Sequence, residues 1–108
     1  MTGQSKLVVM ISDEDIVDKR YENGKIYTIK HPENDNIYVG STINSLNERF
    51  GKHKDHNTCS LYKYVNGNFD GWYIELYENY PCKNKYELER REGEVTRLIG
   101  TINECIAG

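Results

Sequence analysis

A glutamate inside a predicted apolar helix face is the residue whose type least suits its position. Glu92 falls in helical register with Leu88 and Val95 over the segment 84–99, so it shares the side of the helix that packs inward. Burying an unpaired carboxylate is costly, and Glu92 therefore needs an arginine, hydrogen-bond donors or a metal ion beside it. The alternative is a glutamate at the edge of the apolar stripe whose carboxylate reaches water.

Two further polar residues lie together on another predicted helix, over residues 44–55. Arg49 and His53 are four positions apart, so they are neighbours on the surface of that helix, beside its apolar face. The arginine fork suits phosphate oxygens, and histidine titrates near neutral pH. Taken alone, an arginine in the position of Arg49 is more often a surface residue. An asparagine in the position of Asn103, after the last predicted helix, is usually a turn former.

Two tyrosines are predicted on one face of a β-hairpin. Strands at 25–30 and 37–40, joined by the polar link 31–36, are typical of an antiparallel pair. Side chains alternate between the two faces along a strand. Tyr27 and Tyr38 can therefore lie on the same side of the sheet, as cross-strand or diagonal neighbours.

The other predicted elements complete a small mixed fold. Helices are predicted over 44–55, 58–66 and 84–99, with Gly100 at the C′ position of the last one, and a third strand over 72–77. This strand pairs with the hairpin, which predicts an α+β fold with a small three-stranded antiparallel sheet flanked by helices. Residues 1–24 are interpreted as an N-terminal extension of unknown role, with a strand at 6–11 and a helix from Ser12 to about Tyr21.

Composition and charge limit what this chain can do by itself. Its 108 residues suffice for one domain, and no apolar run approaches the roughly 20 residues of a bilayer span. The three cysteines are odd in number, which favours a reduced, intracellular location, either cytoplasmic or nuclear. The net charge of −3 counts against a strong stand-alone nucleic-acid binder. It is compatible with a small catalytic unit that gains affinity from another module.

The ordered set of short motifs resembles the GIY-YIG nuclease family. Lys25-Ile26-Tyr27 stands where that family has Gly-Ile-Tyr, and Tyr38-Val39-Gly40 where it has Tyr-Ile-Gly, at the family's spacing. The family then carries an arginine with a histidine four positions on, a glutamate in a late helix and a following asparagine. These positions are held by Arg49, His53, Glu92 and Asn103.

The resemblance covers residues 25–108 and implies that they form the catalytic domain. Two departures stand out, lysine for the first glycine at Lys25 and valine for isoleucine at Val39. Neither removes a catalytic group, so activity is expected to survive.

The resemblance implies a metal-dependent endonuclease that hydrolyses DNA phosphodiester bonds. Glu92 would hold one Mg²⁺, with Mn²⁺ as a substitute, and Arg49 would bind a non-bridging phosphate oxygen. Tyr27 or His53 would act as the general base, a choice left open because a free tyrosine has a pKa of about 10. Tyr38 would hydrogen-bond the phosphate or Tyr27, and Asn103 would tie the C-terminal loop to the site. The substrate-binding residues are expected to be Lys25, Gly40, Ser41 and Thr42.

Two rival hypotheses belong to other functional classes. One is a nuclease-like fold that binds nucleic acid or protein without catalysis, and the intact set of motif residues argues against it. The other is an interaction module stapled by zinc through His53, His56 and Cys59, which are spaced three residues apart. Because the chain has no evident recognition module, an additional DNA-recognition domain or partner is expected. Either the chain is a catalytic cassette excerpted from a longer protein, or its target is recognised by DNA shape rather than by sequence.

Overall fold

The described part of the chain, residues 16–55 and 60–102 of a computed structural model, contains one sheet and the helices that pack on it. In chain order the elements are a 3-10 helix (Lys19–Asn23), β1 (Lys25–Lys30), β2 (Ile37–Thr42), α1 (Leu46–Asp55), α2 (Ser60–Tyr64), β3 (Tyr73–Asn79) and α3 (Lys85–Ile99). Within these ranges, no helix is long and apolar enough to cross a membrane.

The three strands form an antiparallel sheet in the order β2-β1-β3, which confirms the predicted α+β fold. The predicted hairpin is also confirmed, and its register pairs Tyr27 with Gly40 and Ile29 with Tyr38. Directly opposite residues share a face of a sheet, so the two tyrosines are diagonal neighbours on the same side. β2 continues past the predicted end to Thr42, which brings Ser41 into the ladder.

Each face of the sheet has its own core. On one face, Ile26 and Val39 pack against Leu88 and Val95 of α3, as the apolar stripe of that helix predicts. Burying one such aliphatic side chain contributes about 1.5–3 kcal/mol. The opposite face, beneath α1 and α2, has a second core of Tyr27, Ile29, Leu61 and Ile102.

An ion pair fixes the rotation of α3 on the sheet. Arg91 donates to Glu78 of β3 through Nε at 2.7 Å and Nη2 at 3.3 Å, and to Glu94 through Nη1 at 3.0 Å. Successive residues of a helix point about 100° apart. With Arg91 directed to β3, the neighbouring Glu92 is directed to β2.

The end of α3 differs from the prediction. The sequence predicts Gly100 at a left-handed C′ position, but its φ is −70°. The helix ends because the chain turns to pair with β2, where the Thr101 amide donates to Ile37 O at 2.9 Å and the Ile37 amide donates to Thr101 Oγ1 at 2.7 Å. This pairing carries Ile102 around the edge of β2 into the core on the other face.

The N-terminal prediction also differs in its described part. Residues 16–18 are not helical, and Lys19–Asn23 form a short 3-10 helix capped by Asp18. The Asp18 amide donates to Lys83 O and the Cys82 amide to Tyr21 O, so this segment runs beside the chain that follows β3. The predicted strand 6–11 and the start of the predicted helix at Ser12 lie outside the described residues.

Candidate active site

The ring of Tyr27 crosses β2 at Gly40 and leaves no room there for a side chain. A Cβ on Gly40 would lie 2.9 Å from Cε1 of Tyr27 and closer still to Cζ and Oη. Tyr27 is 0% exposed, so its ring has no solvent to move into. The glycine of the second motif is therefore required by the tyrosine of the first.

Gly40→Ala is expected to destabilise the protein by about 1–3 kcal/mol, the usual cost of overpacking a filled core. The matched control is Gly51→Ala in α1, where nothing lies within 4 Å of the added Cβ. That change should stabilise the protein by up to about 1 kcal/mol, since alanine favours a helix over glycine. Urea denaturation measures both effects, and a Gly40→Ala variant as stable as the parent would contradict the packing described.

Tyr27 lies between an arginine and a histidine in a buried chain of hydrogen bonds. Arg49 Nε donates to Tyr27 Oη at 3.0 Å, and this hydroxyl lies 2.8 Å from Nε2 of His53. An arginine can only donate, so Tyr27 Oη accepts from Arg49, and the tautomer of His53 sets which atom donates between Oη and Nε2. In the tautomer of neutral His53 that carries its proton on Nδ1, Nε2 accepts the Tyr27 proton in this hydrogen bond. The Tyr38 ring meets His53 edge-on, at 5.5 Å between ring centroids.

His53 is neutral at pH 7 in this environment. The residue is 2% exposed, and desolvation by burial, followed by the charge of Arg49, lowers its pKa from 6.5 to about 4. The near-neutral titration predicted from residue type is wrong for His53, because the ring is buried beside a cation. The neutral ring can accept a hydrogen bond at neutral pH, whereas burial and the charge of Arg49 disfavour the uptake of a proton.

Buried His53 should make the fold sensitive to mild acid. Above pH 6.5 the ring is neutral in both the folded and unfolded states. As the pH falls from 6.5 to about 4, the unfolded state binds a proton that the folded state does not, so stability falls. The loss of unfolding free energy is complete below about pH 4. It reaches on the order of 3 kcal/mol, because each pH unit between the two pKa values costs about 1.4 kcal/mol.

Urea denaturation at several pH values tests this for the parent, His53→Gln and His31→Gln. His31 is partly exposed in the loop after β1, so its replacement serves as the control. The stability of His53→Gln should depend less on pH in this window than that of the parent or the control. Equal pH dependence in all three proteins would contradict the assignment.

Glu92 is a partly buried carboxylate that accepts a hydrogen bond from Ser41 Oγ. Desolvation by burial is the largest influence on its pKa and raises it above the usual 4.5. The hydrogen bond from Ser41 lowers the pKa, the charge of Glu89 raises it, and the charge of Arg49 lowers it, each by less than burial does. Arg49 and Glu92 are therefore close enough to interact electrostatically. A carboxylate whose charged form is disfavoured by burial would gain from a nearby cation.

A cavity of about 250 Å³ lies where β2 ends and the chain passes to α1. Its polar lining includes Ser41, Thr42, Asn44, Arg49, Lys85 and Glu89. Tyr27 and His53 lie on the α1 side of the sheet, whereas Ser41 meets Glu92 on the α3 side, so the polar groups wrap around the edge strand β2. Together they can bind an anionic ester, hold a divalent cation and accept a proton.

Comparison with protein families matches residues 23–101 to the GIY-YIG catalytic domain. The chain belongs to the GIY-YIG family. The match supports a nuclease family, as the resemblance of the sequence motifs implies.

One curated relative of this GIY-YIG domain is of viral origin. The chain is 29% identical over 85 residues to Uncharacterized protein 019R of Invertebrate iridescent virus 6. The similar region covers 74% of this chain and 30% of the viral protein, so the chain spans less than a third of that relative. No solved structure matches the chain.

Most of the predicted site residues of the GIY-YIG motifs come together in the structure. Hydrogen bonds join Tyr27 to Arg49 and His53, the Tyr38 ring contacts His53, and Gly40 packs against the Tyr27 ring. Across β2, Ser41 donates a hydrogen bond to Glu92. Thr42 lines the cavity. Asn103 lies outside the described residues. His56 and Cys59 do as well, so the zinc hypothesis remains a prediction.

Lys25, at the position of the first glycine in the GIY motif, contacts the protein itself. Its Nζ donates to Asn23 O at 3.0 Å and to Asn44 O at 3.2 Å. These bonds tie the start of β1 to the loop between β2 and α1. Lys25 therefore shapes the cavity through Asn44, a contact that its predicted substrate-binding role does not include.

Two charged residues of the cavity are absent from the sequence-based predictions. Lys85 and Glu89 line it together with Arg49. Their signal is present in the sequence, because Lys85, Glu89 and Glu92 are spaced i, i+4 and i+7 and thus share one helix face. The apolar stripe that includes Leu88 and Val95 lies next to this face and dominates the pattern.

Proposed function

We propose that this GIY-YIG domain is a metal-dependent DNA endonuclease whose reaction takes place at the C-terminal end of β2. The observation that carries the proposal is the hydrogen-bonded chain of Arg49, Tyr27 and His53 beside the Ser41–Glu92 pair. Apolar residues of similar volume would fill this space without the desolvation cost of charged groups. Catalysis gives a reason for retaining the polar groups.

Arg49 is proposed to bind a non-bridging oxygen of the scissile phosphate. Its side chain lines the cavity beside Ser41 and Thr42, whose hydroxyl groups can also donate hydrogen bonds to an anion. The planar guanidinium matches the geometry of a phosphate. Negative charge grows on these oxygens in the transition state, so a preorganised cation there lowers the barrier.

Tyr27 and His53 are proposed to act as one base. The attacking water forms the new bond to phosphorus and the 3′ oxygen leaves, while the proton of the water passes to Tyr27 Oη and the Tyr27 proton passes to Nε2 of His53. Both side chains are buried, and Arg49 covers the hydroxyl. Rotation of Arg49 towards a bound phosphate would uncover Oη for the water. It would also remove part of the charge that lowers the pKa of His53, so that substrate binding prepares the base.

Glu92 and Ser41 suit Mg²⁺ as the metal, with Mn²⁺ as a substitute. Their oxygen atoms are the donors these cations prefer, and a desolvated carboxylate gains from a positive charge. Within residues 16–55 and 60–102, no three His, Cys, Asp or Glu side chains converge on one point. The protein would thus supply one carboxylate, and water and phosphate oxygens the rest, which Mg²⁺ tolerates. The metal would neutralise charge on the leaving oxygen.

Affinity for DNA is proposed to come partly from outside this domain. The chain has a net charge of −3, and its cavity combines two cations with the carboxylate of Glu89. Binding by the domain alone should therefore be weak and salt-dependent. We infer that an additional DNA-recognition domain or partner supplies the rest, and that the substrate is intracellular DNA in the cytoplasm or nucleus.

Cleavage of an end-labelled duplex at low salt tests the proposal. The folded protein should cut the duplex in Mg²⁺ and in Mn²⁺, and should leave it intact in excess EDTA. If the protein is folded by circular dichroism and binds the duplex but cuts it under none of these conditions, the proposal is wrong. The non-catalytic binding module is then the better account.

A further inference from the structure

We propose that Lys85 is a second phosphate-contact residue, and that the Lys85 end of the cavity, at the first two turns of α3, holds a backbone phosphate next to the scissile one bound by Arg49. The inference rests on the proposed function and extends it by assigning a subsite for the DNA strand. Lys85 lies outside the motifs of the family resemblance and is the first residue of α3.

The cavity supplies the first argument. Among the described residues that line it, Arg49 and Lys85 are the two positively charged side chains, one from α1 and one from α3. Its volume of about 250 Å³ corresponds to roughly eight water molecules of liquid, which is room for a phosphodiester group. Ser41, Thr42 and Asn44 add polar side chains between the two cations.

The neighbours of Lys85 supply the second argument. Asp18, which lines a neighbouring pocket with Lys85, is engaged by Arg20 at 2.6 Å. Glu89 shares the cavity with Lys85, but within the described residues the two form no ion pair. Lys83, two residues earlier, pairs instead with Glu87, at 3.8 Å between Nζ and Oε2. The Lys85 ammonium lies 5.5 Å from the ring centroid of Tyr86, a contact that leaves its charge available to an anion.

Helix geometry supplies the third argument. Lys85 and Glu92 are seven residues apart on one face of α3, which is about 10.5 Å along the helix axis. One strand of duplex DNA advances about 3.4 Å along its axis per nucleotide. The separation along α3 therefore exceeds the rise of one nucleotide, so Lys85 can contact a phosphate other than the scissile one.

The salt dependence of DNA binding tests this subsite without relying on cleavage. Binding of a labelled duplex is measured in EDTA over a range of salt concentrations for the parent, Lys85→Ala, Lys85→Arg and Lys83→Ala. Each phosphate contact contributes about 0.9 to the slope of log affinity against log salt. Lys85→Ala should lower the slope by about 0.9, and Lys85→Arg and Lys83→Ala should leave it unchanged.

The outcomes separate a specific contact from general attraction. Equal slope losses for Lys85→Ala and Lys83→Ala would show a diffuse effect of net charge and overturn the subsite. An unchanged slope for Lys85→Ala, or a parent that does not bind the duplex at low salt, would overturn it too. A parent that shows the predicted slopes but cuts no DNA in Mg²⁺ would refute the endonuclease proposal while retaining the subsite.

Discussion

Glu92→Gln is expected to lower the single-turnover cleavage rate by at least about 10³-fold. The neutral amide removes the one carboxylate proposed to hold the metal. The metal would stabilise the transition state by several kcal/mol, and each loss of about 1.4 kcal/mol slows the reaction tenfold. Glutamine is nearly the same size, and its carbonyl can still accept the hydrogen bond from Ser41. The loss should therefore reflect chemistry rather than misfolding.

The stability of the same variant provides an independent check. Burial raises the pKa of Glu92, so its charged form disfavours the folded state at pH 7 and the neutral amide should leave stability equal or higher in EDTA. Glu94→Gln is the control on the same helix, because Glu94 pairs with Arg91 at the surface and should retain nearly full activity. Comparable rate losses in the two variants would argue against Glu92 as the metal ligand.

Arg49→Ala is expected to lower the cleavage rate by about 10²–10³-fold, the usual effect of removing one donor that stabilises the transition state. Arg49→Lys keeps the charge but loses the planar fork and the Nε donor to Tyr27, so it should restore only part of the rate. Lys52→Ala is the matched control, because Lys52 is exposed on the same helix. A few-fold loss at most is expected for it.

An NMR titration separates the role of Arg49 from a general loss of structure. Arg49 is the second cause, after desolvation, of the lowered pKa of His53. In Arg49→Ala the pKa of His53 should rise from about 4 towards its ordinary value while remaining below it, because burial persists. A His53 pKa unaffected by the substitution would contradict the arrangement of the three side chains.

Much of the fold follows from local patterns in the sequence. The hairpin, the order of helices and strands, and the inward position of Glu92 follow from alternation, helical spacing and turn residues. The predicted placement of Tyr27 and Tyr38 on one face is confirmed, because a two-residue period leaves few registers that bury both strands. The register makes them diagonal rather than direct cross-strand neighbours. The requirement for glycine at Gly40 is not visible in such patterns, since it depends on where the Tyr27 ring lies.

Other features depend on long-range contacts that no local pattern encodes. The lowered pKa of His53 arises from burial between α1 and the sheet and from the charge of Arg49, although histidine as a residue type predicts near-neutral titration. Gly100 ends α3 in an extended conformation because Thr101 pairs with β2, which is distant in sequence. The role of Lys85 requires α3 to be docked beside the β2–α1 loop.

Nicking of supercoiled plasmid at low salt is the most direct test of the central claim, because one cut per molecule relaxes the plasmid. Parent, Glu92→Gln and Arg49→Ala should be compared in Mg²⁺ and in EDTA, with folding verified by circular dichroism. The account predicts relaxed circles for the parent in Mg²⁺ alone, and little or none for either variant. Nicking that persists in both variants, or a folded parent that binds plasmid without nicking it, would contradict the proposed site.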